Sequence, residues 1–214
     1  SLAAIAGTAI AGIVSYAIAD SVAWDATLAV GLASVGTARL GARLAQRMSG
    51  PGLKRAFAIF LVAVAIRLLW QAPEPSAAGT LAGPWRWVGF LALGAAVGVL
   101  AAFFGVGGGI LAVPAFTLLF GMSQQVAQGT SLGVILLAAP AGAWEHAKLG
   151  NVSWSQVLPL ALGALIAAPV SAWIALGTPH EALARGFAVF VLATAGHAWW
   201  KAGRAGRLPA PETQ

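Results

Sequence analysis

The sequence predicts an all-α integral membrane protein, a polytopic helical bundle, and three observations carry that expectation. Of 214 residues, 59% are hydrophobic and only 8% charged, against about 45–50% and about 25% in a typical soluble domain. The apolar residues gather into runs close to the roughly 20 positions a helix needs to cross a hydrocarbon core of about 30 Å. The chain also matches itself without a gap, Ser1–Trp70 on Ser131–Trp200, with Gly12/Gly142, Trp24/Trp154, Arg55/Arg185, Phe60/Phe190 and Trp70/Trp200 among the identical pairs.

Taken in order, the first run is Leu2 to Ala19, ended by the acidic turn Asp20 to Asp25. The second, Trp24 to about Leu44, runs out at Arg43, Arg47 and the breaker Ser49-Gly50-Pro51-Gly52. Leu53 to Trp70 follows, then a linker rich in Ala, Pro and Gly from Gln71 to Pro84 that carries Glu74. The fourth run, Trp85 to Phe104, halts at Gly105-Val106-Gly107-Gly108-Gly109. Ile110 to Phe120 is too brief to span. Val126 to His146, Trp154 to Leu176 and Ala182 to Trp200 complete the set, and the polar tail 201–214 is expected to be disordered. All nine tryptophans fall within a few residues of an expected helix end, where amphipathic indoles favour the headgroup level.

The self-match divides the chain into a first repeat at 1–70, a linker at 71–84 and a second repeat at 85–200. The second copy is preceded by Trp85 to Thr130, which has no counterpart before Ser1, so an N-terminal truncation that removed a glycine hairpin is expected. Helix parity makes the copies inverted. The helix from Leu2 starts at one face of the membrane, whereas its partner from Ser131 belongs to a run that starts at the other. Arg43, Arg47, Lys54, Arg55, Lys148, Lys201, Arg204 and Arg207 then collect on one face. The opposite face holds Arg86 and Arg185, with Arg67 nearby, and the acids Asp20, Asp25, Glu74 and Glu181. Basic residues favour the cytoplasmic side, so the C-terminus is expected inside. Inverted repeats with broken helices are the architecture of secondary transporters, whose sites lie near the midplane.

Chemistry concentrates at the glycine cluster. Glycine lets backbone approach a ligand closely, and a helix opening at Gly109 or Ile110 would aim its first N–H groups and positive dipole end into the protein. In lipid such groups need a partner, and an anion suits them. Pro114 interrupts the short helix. Neutral donors follow in Ser123-Gln124-Gln125 and Gln128-Gly129-Thr130-Ser131, which can hold an anion without trapping it. Gly105, Gly107, Gly108, Gly109, Gln128, Thr130 and Ser131 are therefore the candidate site, with Ser1 contributing from the first copy. Gly94 and Gly98 form a small-xxx-small pair suited to helix packing. Pro140 and Pro169 are kinks and candidate hinges. Arg39 either snorkels to the cytoplasmic face or serves an inner vestibule. His146 is an interface residue or a gate, His197 a packed or interfacial residue, and Glu181 beside His180 a solvated loop.

Several classes are excluded. No cysteine is present, so there is no disulfide framework or thiolate site. The glycines lack the Lys-Ser/Thr and the βαβ setting of a nucleotide loop. No intramembrane carboxylate pair offers a metal or an acid/base site, so neither enzyme nor cofactor is expected. Twelve basic residues scattered over the chain make no nucleic-acid footprint. The expected partners are the bilayer and a small anion, with a coupling ion and a homodimer left open. A non-transporting scaffold and an anion channel are the alternatives.

The stretch from Gly105 to Pro114, followed by Gln128-Gly129-Thr130-Ser131-Leu132, resembles the TauE/SafE family of sulfite exporter-like permeases, as does His146-Ala147-Lys148-Leu149-Gly150-Asn151-Val152. The resemblance covers essentially the whole chain, including its two copies. Ser1-Leu2 then resembles the tail of a first Gly-Thr-Ser-Leu motif. The resemblance implies a bacterial inner-membrane, multi-pass permease for sulfite, sulfonates or related sulfur-containing anions, working by alternating access.

Overall fold

A computed structural model describes residues 2–47, 58–59, 61–63, 65–66, 83–104, 108–148 and 154–205. Every described regular element is an α-helix: α1 (Leu2–Ile18), α2 (Trp24–Arg47), α3 (Pro84–Phe104), α4 (Gly109–Phe120), α5 (Gln124–Lys148), α6 (Trp154–Leu176) and α7 (His180–Ala205). The described positions between 58 and 66 are helical as well. The apolar windows read from the sequence differ from these bounds by only a few residues, because Gly, Pro and the acidic turn stop the runs. The window Leu53 to Trp70 lies mostly outside the described residues, as does the linker. The tail is helical to Ala205, further than its polarity suggested.

Among the described residues, four segments are long and apolar enough to cross a membrane: Pro84–Phe103, Gln124–Trp144, Val157–Leu176 and His180–Trp200. At 17 residues, α1 is a little short, and α2 carries Asp25, Arg39, Arg43 and Arg47 along its length. Large apolar side chains such as Ile18, Leu32, Ile166 and Trp173 are exposed. Apolar surface on that scale would be untenable in water and is natural against lipid. The protein is thus a multi-pass, helical membrane protein.

The chain forms two compact units, one of Ser1–Arg47 with Pro73–Leu183, the other of Met48–Ala72 with Ala184–Gln214. In the second unit Ala58, Leu61 and Ala65 are buried, as are Ala184, Ala188, Val191 and Ala195, each set following the helical repeat that makes one inward stripe.

In the first unit α5 is the hub, packing on α1, α2, α3 and α4. Its apolar window is 61% buried, against 6% for α6, which packs only on α1 among the principal helix pairs. Directions follow from contacts. A Cβ at Gly94 would meet Val30 and one at Gly98 would meet Ser34, while Gly133 faces Thr27 and Gly31 faces Leu137. Hence α2, α3 and α5 run the same way. Gly7 faces Ala161, and Ile13 and Tyr16 cluster with Ala172, so α1 and α6 run together. Gly12 faces Leu132 and Ala9 clusters with Ile135 and Ala139, which sets α1 antiparallel to α5.

The α1–α2 turn is closed by Asp20 in the left-handed region at φ 50°, with Ser21 N–H donating to the Tyr16 carbonyl at 2.8 Å, a common way to satisfy the last carbonyls of a helix. On the same end Arg86 pairs with Asp25 at 2.9 Å, both about 40% exposed. Solvated pairs of this kind contribute only about 0–1 kcal/mol. Asp25→Asn is accordingly expected to shift the melting temperature of the purified protein by no more than a few degrees.

Candidate functional site

The short helix α4 is positioned by its ends. Gly108 sits in the left-handed region at φ +79°, which glycine adopts without the Cβ clash of other residues. Its carbonyl accepts from the N–H groups of Leu111 at 3.1 Å and Ala112 at 2.9 Å, opening the helix. At the far end Gly121, with φ 66°, donates its N–H to the Phe116 carbonyl. Phe120 stacks on Phe90 of α3 at 4.5 Å between ring centroids, anchoring that end. Pro114 is buried inside one continuous helix. It has no N–H to offer the carbonyl of Ile110, and its own carbonyl accepts from the Thr117 hydroxyl at 3.0 Å.

At twelve residues, α4 is about 18 Å long, roughly three-fifths of a hydrocarbon core. Its beginning lies beside α3 and α5. A Cβ on Gly108 would stand 2.7 Å from Val97 Cγ1 and 3.2 Å from Ala101 Cβ, and one on Gly109 would stand 3.4 Å from Ser131 Oγ and 3.2 Å from Ile135 Cδ1. Ser131 is seven residues into α5, about 10 Å along its axis. The α4 N-terminus, with its partial positive charge, therefore opens against a buried serine hydroxyl well inside the bundle.

The polar run of α5 divides between two faces. Gln124, Gln128 and Ser131 recur at helical spacing and lie on one stripe. Gln128 Oε1 accepts from the Tyr16 hydroxyl of α1 at 2.7 Å. Gln124 is fully buried, and among the described residues neither its Oε1 nor its Nε2 has a hydrogen-bond partner, an arrangement that costs stability unless something polar visits. Thr130 is turned away from this stripe: its Oγ1 accepts from the Ala23 N–H at 2.9 Å, satisfying a donor at the start of α2. Of the residues expected to form the site, Gly108, Gly109 and Ser131 come together. Gln128 lies a turn away on the same stripe, and Thr130 serves the α1–α2 turn. Gly105, Gly107 and Ser1 lie outside the described residues, as do the side chains of Glu145 and His146. Pro140 sits exposed within the unbroken α5.

Two partners were not foreseen from sequence. Tyr16, the only tyrosine, gave no signal beyond its rarity. His180, expected in a solvated loop with Glu181, instead begins α7, and its Nδ1 accepts from the Gln124 N–H at 2.8 Å. A free donor at the start of α5 is thereby satisfied by a side chain, with Gln125 Nε2 donating to the Thr178 carbonyl beside it at 2.9 Å.

Comparison with known proteins identifies the family. The model of the family described as sulfite exporter TauE/SafE matches residues 1–68 and 90–213. A "probable membrane transporter protein YunE" of Bacillus subtilis is 42% identical over 74 residues, 35% of this chain and 27% of that protein. A "probable membrane transporter protein" of Methanocaldococcus jannaschii is 31% identical over 114 residues, 50% of this chain and 41% of that protein. One of Haemophilus influenzae is 37% identical over 78 residues, 33% and 30% of the two chains. The matched stretches thus span well under half of these relatives' own length. No solved structure gives a significant match. With a family model covering nearly all of its length, the chain belongs to the TauE/SafE family of membrane transporters.

Proposed function

We propose that this transporter moves small sulfur-containing anions of the sulfite and sulfonate type across a bacterial inner membrane by alternating access. The observation that carries the reading is the opening of α4 at Gly108 and Gly109 against Ser131 Oγ, inside the bundle. Backbone N–H groups at a helix start, aided by the dipole, bind oxyanions, and a neutral hydroxyl adds a donor that still permits release. The stripe from Gln124 through Gln128 leads from the start of α5 to this point, a polar track of about 10 Å whose first amide has no partner among the described residues. The name of the family supports the substrate class.

Two inverted copies, with α4 as a re-entrant half-helix, supply the moving parts in this reading. Its support is a set of exchanged contacts. Gly7 faces Ala161 and Gly31 faces Leu137, the same two repeat positions with the copies swapped. Ile5 with Ile135 and Ala9 with Ala139, each pair equivalent in the two copies, share one cluster. The second compact unit is likewise drawn from equivalent stretches of both copies. The ends of α2 and α5, which run together, carry Arg43, Arg47 and Lys148, and this basic face is assigned to the cytoplasm together with the C-terminus. Rocking one copy against the other, driven by the substrate gradient or a coupled ion, would expose the site alternately.

The test is reconstitution of the full-length protein into liposomes with a panel of sulfite, thiosulfate and alkylsulfonates. Saturable uptake with counter-transport is expected. Ser131→Ala should lower flux about tenfold or more, the value of one hydrogen bond to a charged group. Non-saturating flux would make the protein a channel, and no flux of any anion in the panel would overturn the reading.

A further inference from the structure

A cavity lies between α2 and α5, toward the ends that carry Arg43 and Lys148. It is a groove of about 350 Å³ lined by Val35, Gly36 and Arg39 of α2 and by Ala141 and Trp144 of α5. Among the described residues a Cβ on Gly36 would meet nothing within 4 Å, so the groove is open along its wall. Trp144 is 64% exposed, and Lys148 Nζ stands over its ring at 5.6 Å from the centroid. Arg43, exposed one turn beyond Arg39, adds a third cation at the same end. The floor is apolar and the rim is basic and aromatic.

Arg39 lies eight residues before the end of α2, about 12 Å along the axis. An arginine at that depth is costly unless its guanidinium reaches polar groups at the interface. Its planar fork matches a phosphate, while Val35, Gly36 and Ala141 continue inward as a track for an acyl chain. Basic pockets between helices on the cytoplasmic side suit the headgroups of anionic lipids.

We propose that this groove binds the phosphodiester headgroup of an anionic phospholipid of the cytoplasmic leaflet, its acyl chain lying along Val35, Gly36 and Ala141. The repeat itself provides an internal control, and the argument rests to that extent on the inverted-repeat reading. The equivalent groove between α6 and α1 would be lined by Leu165, Ile166, Pro169, Ala11 and Val14, with Ile18 in place of Lys148. Pro169, Val14 and Ile18 stand where Arg39, Trp144 and Lys148 are, and Trp173 where Arg43 is, so no cation is kept at the other end. A residue serving an anion path common to both states would keep a polar equivalent in the second copy. A ligand confined to one leaflet needs no such equivalent.

The experiment is native mass spectrometry of the full-length protein released from nanodiscs that contain phosphatidylglycerol and phosphatidylcholine in equal amounts. Wild type is expected to retain phosphatidylglycerol about thirtyfold over phosphatidylcholine, the combined effect of two surface cations. The double variant Arg39→Gln, Lys148→Gln should lose that preference. Lys148→Gln alone, a change at an exposed side chain, should reduce it several-fold and covers the event that the double variant does not fold. Sulfite and inorganic phosphate at millimolar concentration should leave the bound lipid in place. Equal retention of the two lipids by wild type, or displacement by the free anions, would overturn the proposal, the latter making the groove a vestibule for substrate. Because the readout is bound lipid and not flux, failure of the transport reading would register separately, in the liposome assay.

Discussion

Gly98→Leu is expected to abolish accumulation of folded protein in the membrane, whereas Gly163→Leu leaves it at the wild-type level. The contrast follows from what each side chain would meet. Along the α2–α3 seam the main chains nearly touch. A Cβ at Gly98 runs into the Ser34 carbonyl and the Thr37 hydroxyl and reaches 2.7 Å from Ser34 Cα, while one at Gly94 lies 3.0 Å from Val30 Cα. In lipid, such proximity replaces the hydrophobic effect as the source of helix association. It also brings hydroxyls of α2 within reach of α3 carbonyls: Ser34 Oγ donates to Gly94 O at 3.0 Å and Thr37 Oγ1 to Ala95 O at 3.0 Å.

Overpacking usually costs about 1–3 kcal/mol where side chains can give way. Here the obstacle is the backbone of Ser34, so relief requires parting the helices and losing both hydroxyl bonds. That sum is a large share of a typical stability of about 5–15 kcal/mol. Around Gly163 a Cβ would meet nothing within 4 Å among the described residues, and a leucine there faces lipid. Fluorescence size-exclusion chromatography of detergent extracts reads the difference directly. A monodisperse Gly98→Leu protein at normal yield would show that α2 and α3 are not held by this seam.

What could be read from sequence divides along a physical line. Features written in local spacing were legible: the apolar runs, the arrest at Gly105 to Gly109, the brevity of the following helix, and the small-xxx-small pair at Gly94 and Gly98. The sequence did not say which helix that pair receives, because an apolar face carries no address. Within the site, the choice between adjacent hydroxyls was equally hidden. Thr130 and Ser131 are successive residues about 100° apart on α5, and only the approach of Ala23 on one side and Gly109 on the other assigns them different partners. Tyr16 with Gln128 and His180 with the start of α5 join residues remote in the chain, so no periodicity could pair them.

Neighbouring glycines at the start of α4 should respond differently, and that difference separates an anion site from mere packing. Gly109→Ala is expected to leave stability near wild type while cutting anion flux several-fold. No positive φ is required at Gly109, and its new methyl would make tight contact with Ile135 Cδ1 at 3.2 Å, the mobile end of a side chain, and ordinary contact with Ser131 Oγ at 3.4 Å. The methyl therefore occupies the space in front of the hydroxyl that is proposed to hold substrate. Gly108→Leu should abolish flux altogether and lower stability as well. Its φ of +79° costs a side-chain-bearing residue about 1–2 kcal/mol, and the Cβ would press on Val97 Cγ1 at 2.7 Å, tilting the N–H groups that open α4. Thermal melts and proteoliposome flux on the same preparations give two orderings. If the glycines only let helices pack, flux will follow stability, and Gly109→Ala will transport like wild type. If they bare a helix start to an anion, flux will fall several-fold in the variant whose stability has hardly moved.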